Sequence, residues 1–323
     1  MMQTMKGLWL EDLRITYRTD LPIPKPRAGE ALIRTRLAGI CATDLEMTRG
    51  YYPFTGVPGH EFVGDVVEAP GFEGWIGQRV VGEINLICGQ CEACRAGRKT
   101  HCTNRRALGI QGVDGVLAEY FTLPLANLHP VPGEITDEAA VFTEPLAAAL
   151  EILQQVHIQP EMKVLVVGAG RLGLLIAQVL KLIGCDLAVV VRREAQTQLL
   201  SRWGIPAVDE RTLAKGAADL VVEATGSPAG FALAREALRP AGTLVLKSTF
   251  AGDVSLNLSA LVVDEIRLVG SRCGPFAPAL RLLAAGLIDT QSLVSEHFTL
   301  AQGVEAFERA AKRGVLKVLV AGE

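Results

Sequence analysis

The hydrophobic pattern divides the chain near residue 145. Up to about Thr143 it consists of short runs rich in β-branched residues, such as "EALIRTRLAGI", "EFVGDVVEAP", "QRVVGEINLI" and "AEYFTLP", punctuated by Gly and Pro. Such runs predict short, mostly antiparallel strands joined by long loops. From Met162 the texture alternates. "KVLVVG" reads as a buried strand, and "RLGLLIAQVLKLIG" as a helix with one apolar face, closed by Gly184. "DLAVVV", "DLVVEATG" and "GTLVLKS" read as further strands, with helices in "EAQTQLLSRWG" and "PAGFALAREAL", and "EIRLVGS" is one more candidate strand. Strand and helix in turn specify a parallel sheet with helices on both faces, so the fold class is α/β. After about Gly274 the pattern gives a helix in "APALRLLAAG", a loop, a helix in "AQGVEAFERAAKRG" and a last strand in "KVLVAG".

At 323 residues the chain is long enough for two domains, and 49% hydrophobic residues supply two cores. The net charge of −3 removes any bulk electrostatic case for nucleic acid or an anionic membrane as partner. No apolar run reaches the roughly 18 residues of a membrane span. The richest stretch, "LLIAQVLKLIGCDLAVVV", is broken by Gln178, Lys181 and Asp186. The opening "MMQTMKGLWLEDLRITYR" carries acids where a secretory leader needs an unbroken apolar core. The expected compartment is therefore the reducing cytoplasm, where clustered cysteines hold metal more often than they form disulfides.

In "VLVVGAGRLG", Gly168, Gly170 and Gly173 stand between a strand and a helix. In that context G-x-G-x-x-G is a dinucleotide-binding turn. The first glycine allows the turn, the second lets backbone approach a pyrophosphate, and the third lets helix pack on strand. The helix N-terminus adds free N–H groups and a positive dipole end. The second strand ends in Arg192 and Arg193, where an acid would hydrogen-bond a free ribose hydroxyl. The two arginines favour a 2′-phosphate, hence NADP(H) over NAD(H); the competing reading is a pair of solvated surface arginines.

Four of the seven cysteines, Cys88, Cys91, Cys94 and Cys102, fall within "CGQCEACRAGRKTHC". That spacing suits four thiolates around one tetrahedral, structural zinc. The loop has no core of its own, and a metal would supply its stability. His101 is a rival ligand, and a DNA-binding zinc module a rival reading disfavoured by the negative net charge. A second set comprises Cys41 in "GICATDLEM" and His60 and Glu61 in "GVPGHEFVGD", with Glu144 in "VFTEPLAAAL". Cys, His and carboxylate are the ligand types of an open, catalytic zinc. Singly, Cys41 reads as a buried small hydrophobe, His60 as a loop histidine and Glu144 as a helix start before Pro145. Together they read as a metal site at a cleft between domains.

Taken together, "GICATD", "GHEFVG", the four-cysteine lobe, "EPLA", "VGAGRLG", "EATGS" and the terminal "KVLV" resemble the zinc-dependent medium-chain dehydrogenase/reductase family, its alcohol and polyol dehydrogenases in particular. The resemblance covers essentially the whole chain. It implies a GroES-like, mostly-β catalytic domain over 1–144 with the zinc lobe at 88–102. It implies a Rossmann doubly wound parallel-sheet domain over 145–274, and a segment 275–323 that completes the catalytic domain. "EPLA" is nearer to sorbitol, threonine and sugar dehydrogenases than to classical alcohol dehydrogenases, which have cysteine there.

The resemblance also implies roles. Cys41 and His60 ligate the catalytic zinc, and Glu61 is a third ligand or a neighbour exchanging with water. Glu144 ligates or holds zinc-bound water, Asp44 supports the histidine, and Thr43 passes the alcohol proton outward. Many relatives end that relay in histidine where this chain has Glu46. Leu172 in the glycine turn, Thr225 in "EATGS", Ser248 in "LKSTF" and Ser271 beyond "EIRLVG" line the cofactor. The expected protein is a zinc-dependent oxidoreductase with two zinc ions per chain, a small-molecule alcohol, polyol or carbonyl substrate, and a homodimeric or homotetrameric assembly. Two other readings stand beside it. One is a metal-free reductase of the same superfamily, which would lack the Cys/His/Glu set. The other is a non-enzymatic dinucleotide-binding or sensing protein that keeps the fold.

Overall fold

The computed structural model describes residues 3–250 and 252–322, so the first two residues of the N-terminal stretch fall outside it. Met1–Glu144 with Phe276–Glu323 form one compact unit, and Pro145–Pro275 a second.

The first unit is built on the strand Glu30–Gly39, which pairs antiparallel with Glu61–Glu68, Tyr120–Pro124 and the C-terminal Lys317–Ala321. The sequence of Glu30–Gly39 explains its placement. Ile33, Thr35 and Leu37 turn inward, while Arg34 and Arg36 turn out to pair with Asp65, Arg36 also meeting Asp137. Phe62 and Phe121 meet edge to face at 4.7 Å inside the sheet. A small three-stranded sheet, Asn85–Leu86, Arg106–Leu108 and Gly112–Val113, brackets the cysteine loop in sequence. One element differs from the expected pattern. The stretch expected as a loop after "APALRLLAAG" contains a strand, Val294–Thr299, parallel to Lys317–Ala321. Its inward position Glu296 is ion-paired with Arg309, so the apolar alternation that announces a strand is interrupted.

The second unit is a parallel sheet of six strands. They are β1 (Lys163–Val167), β2 (Asp186–Val191), β3 (Ala207–Asp209), β4 (Ala218–Glu223), β5 (Leu238–Leu246) and β6 (Arg267–Gly270), in the order β3-β2-β1-β4-β5-β6. The order reverses between β1 and β4, which opens a crevice at the carboxyl ends of the strands. Four helices concern the site: α1 (Thr143–Gln155), α2 (Arg171–Lys181), α3 (Glu194–Arg202) and α4 (Pro228–Ala237). Leu165, Val167, Val190, Val221 and Leu244 of the sheet form one core with Ala234 and Ala237 of α4. The edge strand β3 escapes a pattern reading because its three residues are all half-buried. No described helix is long and apolar enough to cross a membrane.

Candidate active site and metal centres

Cys41 caps the short helix Ala42–Met47, and its backbone N–H donates to Asp44 Oδ2 at 2.8 Å. The bond fixes Asp44, which is fully buried, with its other oxygen 3.4 Å from His60 Nδ1. Neither Asp44 Oδ1 nor His60 Nδ1 has a well-aligned hydrogen bond, although both are buried. Burial alone would lower the His60 pKa, but Asp44 and the Cys41 sulfur outweigh it and hold the imidazole well above its ordinary value. A ring drawn toward a proton by two electron-rich neighbours is equally suited to a cation. A metal-bound histidine commonly gives its other ring nitrogen to a carboxylate, as the Asp44 contact would allow here. Ligand atoms of Cys41, His60 and Glu61 lie within 4.8 Å of one another. The donor set therefore fits an open zinc site.

Glu61 opens its strand and is 1% exposed. Its Oε2 is ion-paired with Lys317, equally buried, whose ammonium lies 5.8 Å from the centre of the Phe142 ring. A Cβ at residue 39 would stand 2.6 Å from Glu61 Oε2, so Gly39 leaves the room this pair needs. Sequence reasoning did not single out Lys317. Its one signal is a lysine opening an otherwise apolar terminal strand. Glu144 lies in the first turn of α1, half-buried, and is outside the Cys41–His60–Glu61 group. Thr43 is half-buried on the same helix as Asp44, and Glu46 is ion-paired with Arg49 at 2.6 Å.

The cysteine loop folds around its own sulfurs. Gly89 and Gly97 adopt φ of 72° and 77°, which side-chain-bearing residues avoid. The four sulfurs lie within 4.8 Å of one another, with Cys88 and Cys102 at 3.6 Å. A tetrahedral zinc with Zn–S bonds of about 2.3 Å spaces its sulfurs by about 3.8 Å. Backbone hydrogen bonds at Cys94 and Thr103 pull the Cys91 thiol down to about 5. Desolvation, with Cys91 and Cys102 alongside, pushes Cys94 up to about 12. Four thiols this close do not all ionise without a cation to share their charge, and zinc meets that requirement. His101 is exposed beside the buried Cys102, and none of the described cysteines is in a disulfide.

In the second unit each glycine of the turn has a separate reason. Gly168 has φ 113°, and a Cβ there would press within 2.8 Å of the Ala224 backbone. At Gly173 a Cβ would stand 1.8 Å from the Gly168 carbonyl oxygen, so only glycine lets α2 approach β1. Around Gly170, the N-cap of α2, a Cβ would meet nothing, which leaves an open face for a phosphate. Leu172 is half-buried in the first turn of α2. At the end of β2, Arg192 and Arg193 are exposed, and Arg192 Nε donates to Glu210 Oε2 at 2.6 Å. Thr225 donates to buried Glu223, and Ser248 Oγ accepts the Gly226 N–H at 2.9 Å. Ser271 Oγ is 3.2 Å from the ammonium of Lys247, a second lysine that sequence reasoning passed over.

Residues 27–133 match the alcohol dehydrogenase GroES-like domain, and residues 172–285 match the zinc-binding dehydrogenase domain. Over 93% of this chain and 94% of its own length, a sorbitol dehydrogenase from Halalkalibacterium halodurans is 30% identical. An L-threonine 3-dehydrogenase from Pyrococcus abyssi is 31% identical over 91% of this chain and 92% of its own. Two solved structures share the fold. A protein described as a zinc-binding dehydrogenase from Sinorhizobium meliloti 1021, bound to NADP, gives a TM-score of 0.90 at 29% identity over 99% of both chains. An Escherichia coli CFT073 short chain alcohol dehydrogenase, complexed with NADH, gives 0.89 at 26% identity over 98% of this chain and 99% of that one. The chain belongs to the zinc-binding medium-chain dehydrogenase/reductase family, a family of zinc-dependent, NAD(P)-linked oxidoreductases.

Proposed function

We propose that the protein transfers a hydride between the CH–OH carbon of an alcohol- or polyol-type substrate and NADP, with NAD the less favoured cofactor. When bound, zinc supplies Lewis acidity toward a substrate oxygen, and the nicotinamide supplies the hydride acceptor or donor. The chain's own residues do the rest. Cys41, His60 and Glu61 hold the metal, with Glu144 as a further ligand or as a support for the water beside it. Asp44 orients the His60 ring. The Thr43 hydroxyl carries the alcohol proton outward, and Glu46, tied to Arg49, is the outer acceptor. Gly168, Gly170, Leu172 and Gly173 seat the pyrophosphate, and Arg192 and Arg193 receive the 2′-phosphate. Thr225, Ser248 and Ser271 line the nicotinamide half.

The observation that carries this reading is the grouping of Cys41, His60 and Glu61 over a buried, unsatisfied Asp44–His60 contact. It is a donor set that a cation completes. The substrate class leans on relatives named for a polyol and for a hydroxy amino acid, both hydroxyl-bearing. The test is cofactor reduction by zinc-loaded protein with a panel of alcohols, polyols, sugars and hydroxy amino acids. Turnover of one class, abolished in a folded Cys41→Ser variant, is expected. Cofactor binding without turnover across the panel would favour the non-enzymatic alternative.

A further inference from the structure

Lys247 follows the last residue of β5 and is 7% exposed. Its ammonium donates to Ala148 O on α1 at 2.6 Å, to Arg272 O at 2.8 Å and to Ser271 Oγ at 3.2 Å. Ser271 and Arg272 form the exit from β6. That exit meets α1 at a second point: a Cβ at Gly274 would lie 1.9 Å from Ala147 O, so only glycine permits the approach. On the other side, Ser248 ties the exit of β5 to the exit of β4 through the Gly226 N–H. The exits of β4, β5 and β6 are thus linked in series, and Lys247 is the joint between the last two.

The position of this joint along the sheet gives it a role. The glycine turn follows β1 and receives the pyrophosphate, and the adenosine ribose lies at the end of β2. The second half of a dinucleotide then lies across the ends of β4, β5 and β6. Burying an ammonium here costs solvation that a methionine of similar length would not. What the charge supplies is a set of short, charge-assisted bonds to backbone carbonyls, which no apolar side chain makes.

We propose that Lys247 is a positioning residue for the nicotinamide half of the cofactor. It clamps the β6 exit to α1 so that the loop is already set when the ring arrives. The proposal rests on the dinucleotide reading above. Its test compares two probes in wild type, Lys247→Met and Lys247→Arg. One probe is whichever of NADPH and NADH the wild type binds more tightly. The other is the matching adenosine nucleotide lacking the nicotinamide half. Lys247→Met should weaken the reduced dinucleotide by about tenfold or more while changing the adenosine nucleotide by less than about twofold, and Lys247→Arg should recover most of the loss. Should Lys247→Met fail to fold, Lys247→Gln, which keeps an N–H donor but no charge, should show the same selective loss at smaller size. Parallel weakening of both probes, or no change in either, would overturn the proposal. A wild type that binds neither probe would overturn the dinucleotide reading itself, and this proposal with it.

Discussion

Lys317 and Glu61, 256 positions apart, form a buried ion pair between the first residue of the C-terminal strand and the first residue of the strand that follows His60. Neither charge reaches solvent, so each depends on the other. Lys317→Met leaves the Glu61 carboxylate buried without its counter-charge. Breaking such a pair from one side typically costs about 3–5 kcal/mol, whereas replacing both partners by apolar groups is often near neutral. Urea unfolding should therefore show a large loss in Lys317→Met and recovery of most of it in Lys317→Met/Glu61→Leu. The single-variant loss should shrink in zinc-loaded protein, where the cation gives Glu61 another counter-charge.

The two ligand sets are separate, and their removal should separate too. The native protein should hold about two zinc equivalents by elemental analysis, one per set. Cys91→Ser should lose one equivalent and melt well below wild type, because a closed cage contributes its binding energy to folding. Cys41→Ser should lose the other with little change in melting but no turnover. A chelator should strip the Cys41 set first, since an open site exchanges ligand with solvent. Full metal content in both variants would mean that these residues do not ligate.

For Glu144 the two readings give opposite results. A residue that supports the metal site without closing the ligand group should cost about 10- to 100-fold in turnover when replaced by alanine, with melting nearly unchanged. Early melting with normal turnover would instead mark Glu144 as a helix-start residue, favoured beside the positive end of α1.

How much of this was legible depends on the separation of the partners along the chain. The glycine turn could be read because its three glycines, strand and helix are contiguous, and Gly168 and Gly173 each answer a local steric demand. The grouping of Cys88, Cys91, Cys94 and Cys102 could be read because four sulfurs within one short loop have little else to meet. Lys317 could not, since its partner is set only when the last strand pairs with Glu30–Gly39, which also pairs with the strand of Glu61. Lys247 was hidden differently: at the tip of "GTLVLKS" it reads as a strand-end lysine in water, and its burial depends on α1 and the β6 exit. Val294–Thr299 was missed because an ion-paired glutamate occupies an inward position.

Asp219 predicts the response of the second unit to acid. Its carboxylate accepts from Arg239 Nε at 2.5 Å and from the Lys163 N–H at 2.6 Å, joining β4 to the start of β1. The Arg239 hydrogen bond, with help from the Lys163 amide, holds its pKa below the ordinary 3.8. A depressed carboxylate stabilises the fold above the unfolded value and loses that contribution as pH falls through the folded value. Asp219→Asn keeps an acceptor for Lys163 but no charge. It should cost about 1 kcal/mol at neutral pH, less than the usual cost of losing a bond to a charged group because the site is partly exposed and screened by solvent. The difference in urea midpoint between variant and wild type should then narrow below about pH 4. A gap independent of pH would show that the charge is not what Arg239 and Lys163 use.

In the proposed reading the choice of cofactor turns on Arg192. The end of β2 carries no carboxylate to grip a free ribose hydroxyl, and two exposed guanidiniums stand there instead. Arg192 is paired with Glu210, but with 61% of its side chain exposed, that pair is worth only about 0–1 kcal/mol. A 2′-phosphate offers charge-assisted, bidentate bonds worth about 1–3 kcal/mol, enough to draw the guanidinium from Glu210. The expected preference for NADP in kcat/KM is therefore about one to two orders of magnitude. Arg192→Asp should abolish or reverse it. Glu210→Ala should increase it by up to about fivefold, because the pair no longer competes and one negative charge leaves the phosphate's surroundings. A wild-type preference for NAD, or a ratio unmoved by Arg192→Asp, would show that both arginines face water and that the ribose is recognised elsewhere.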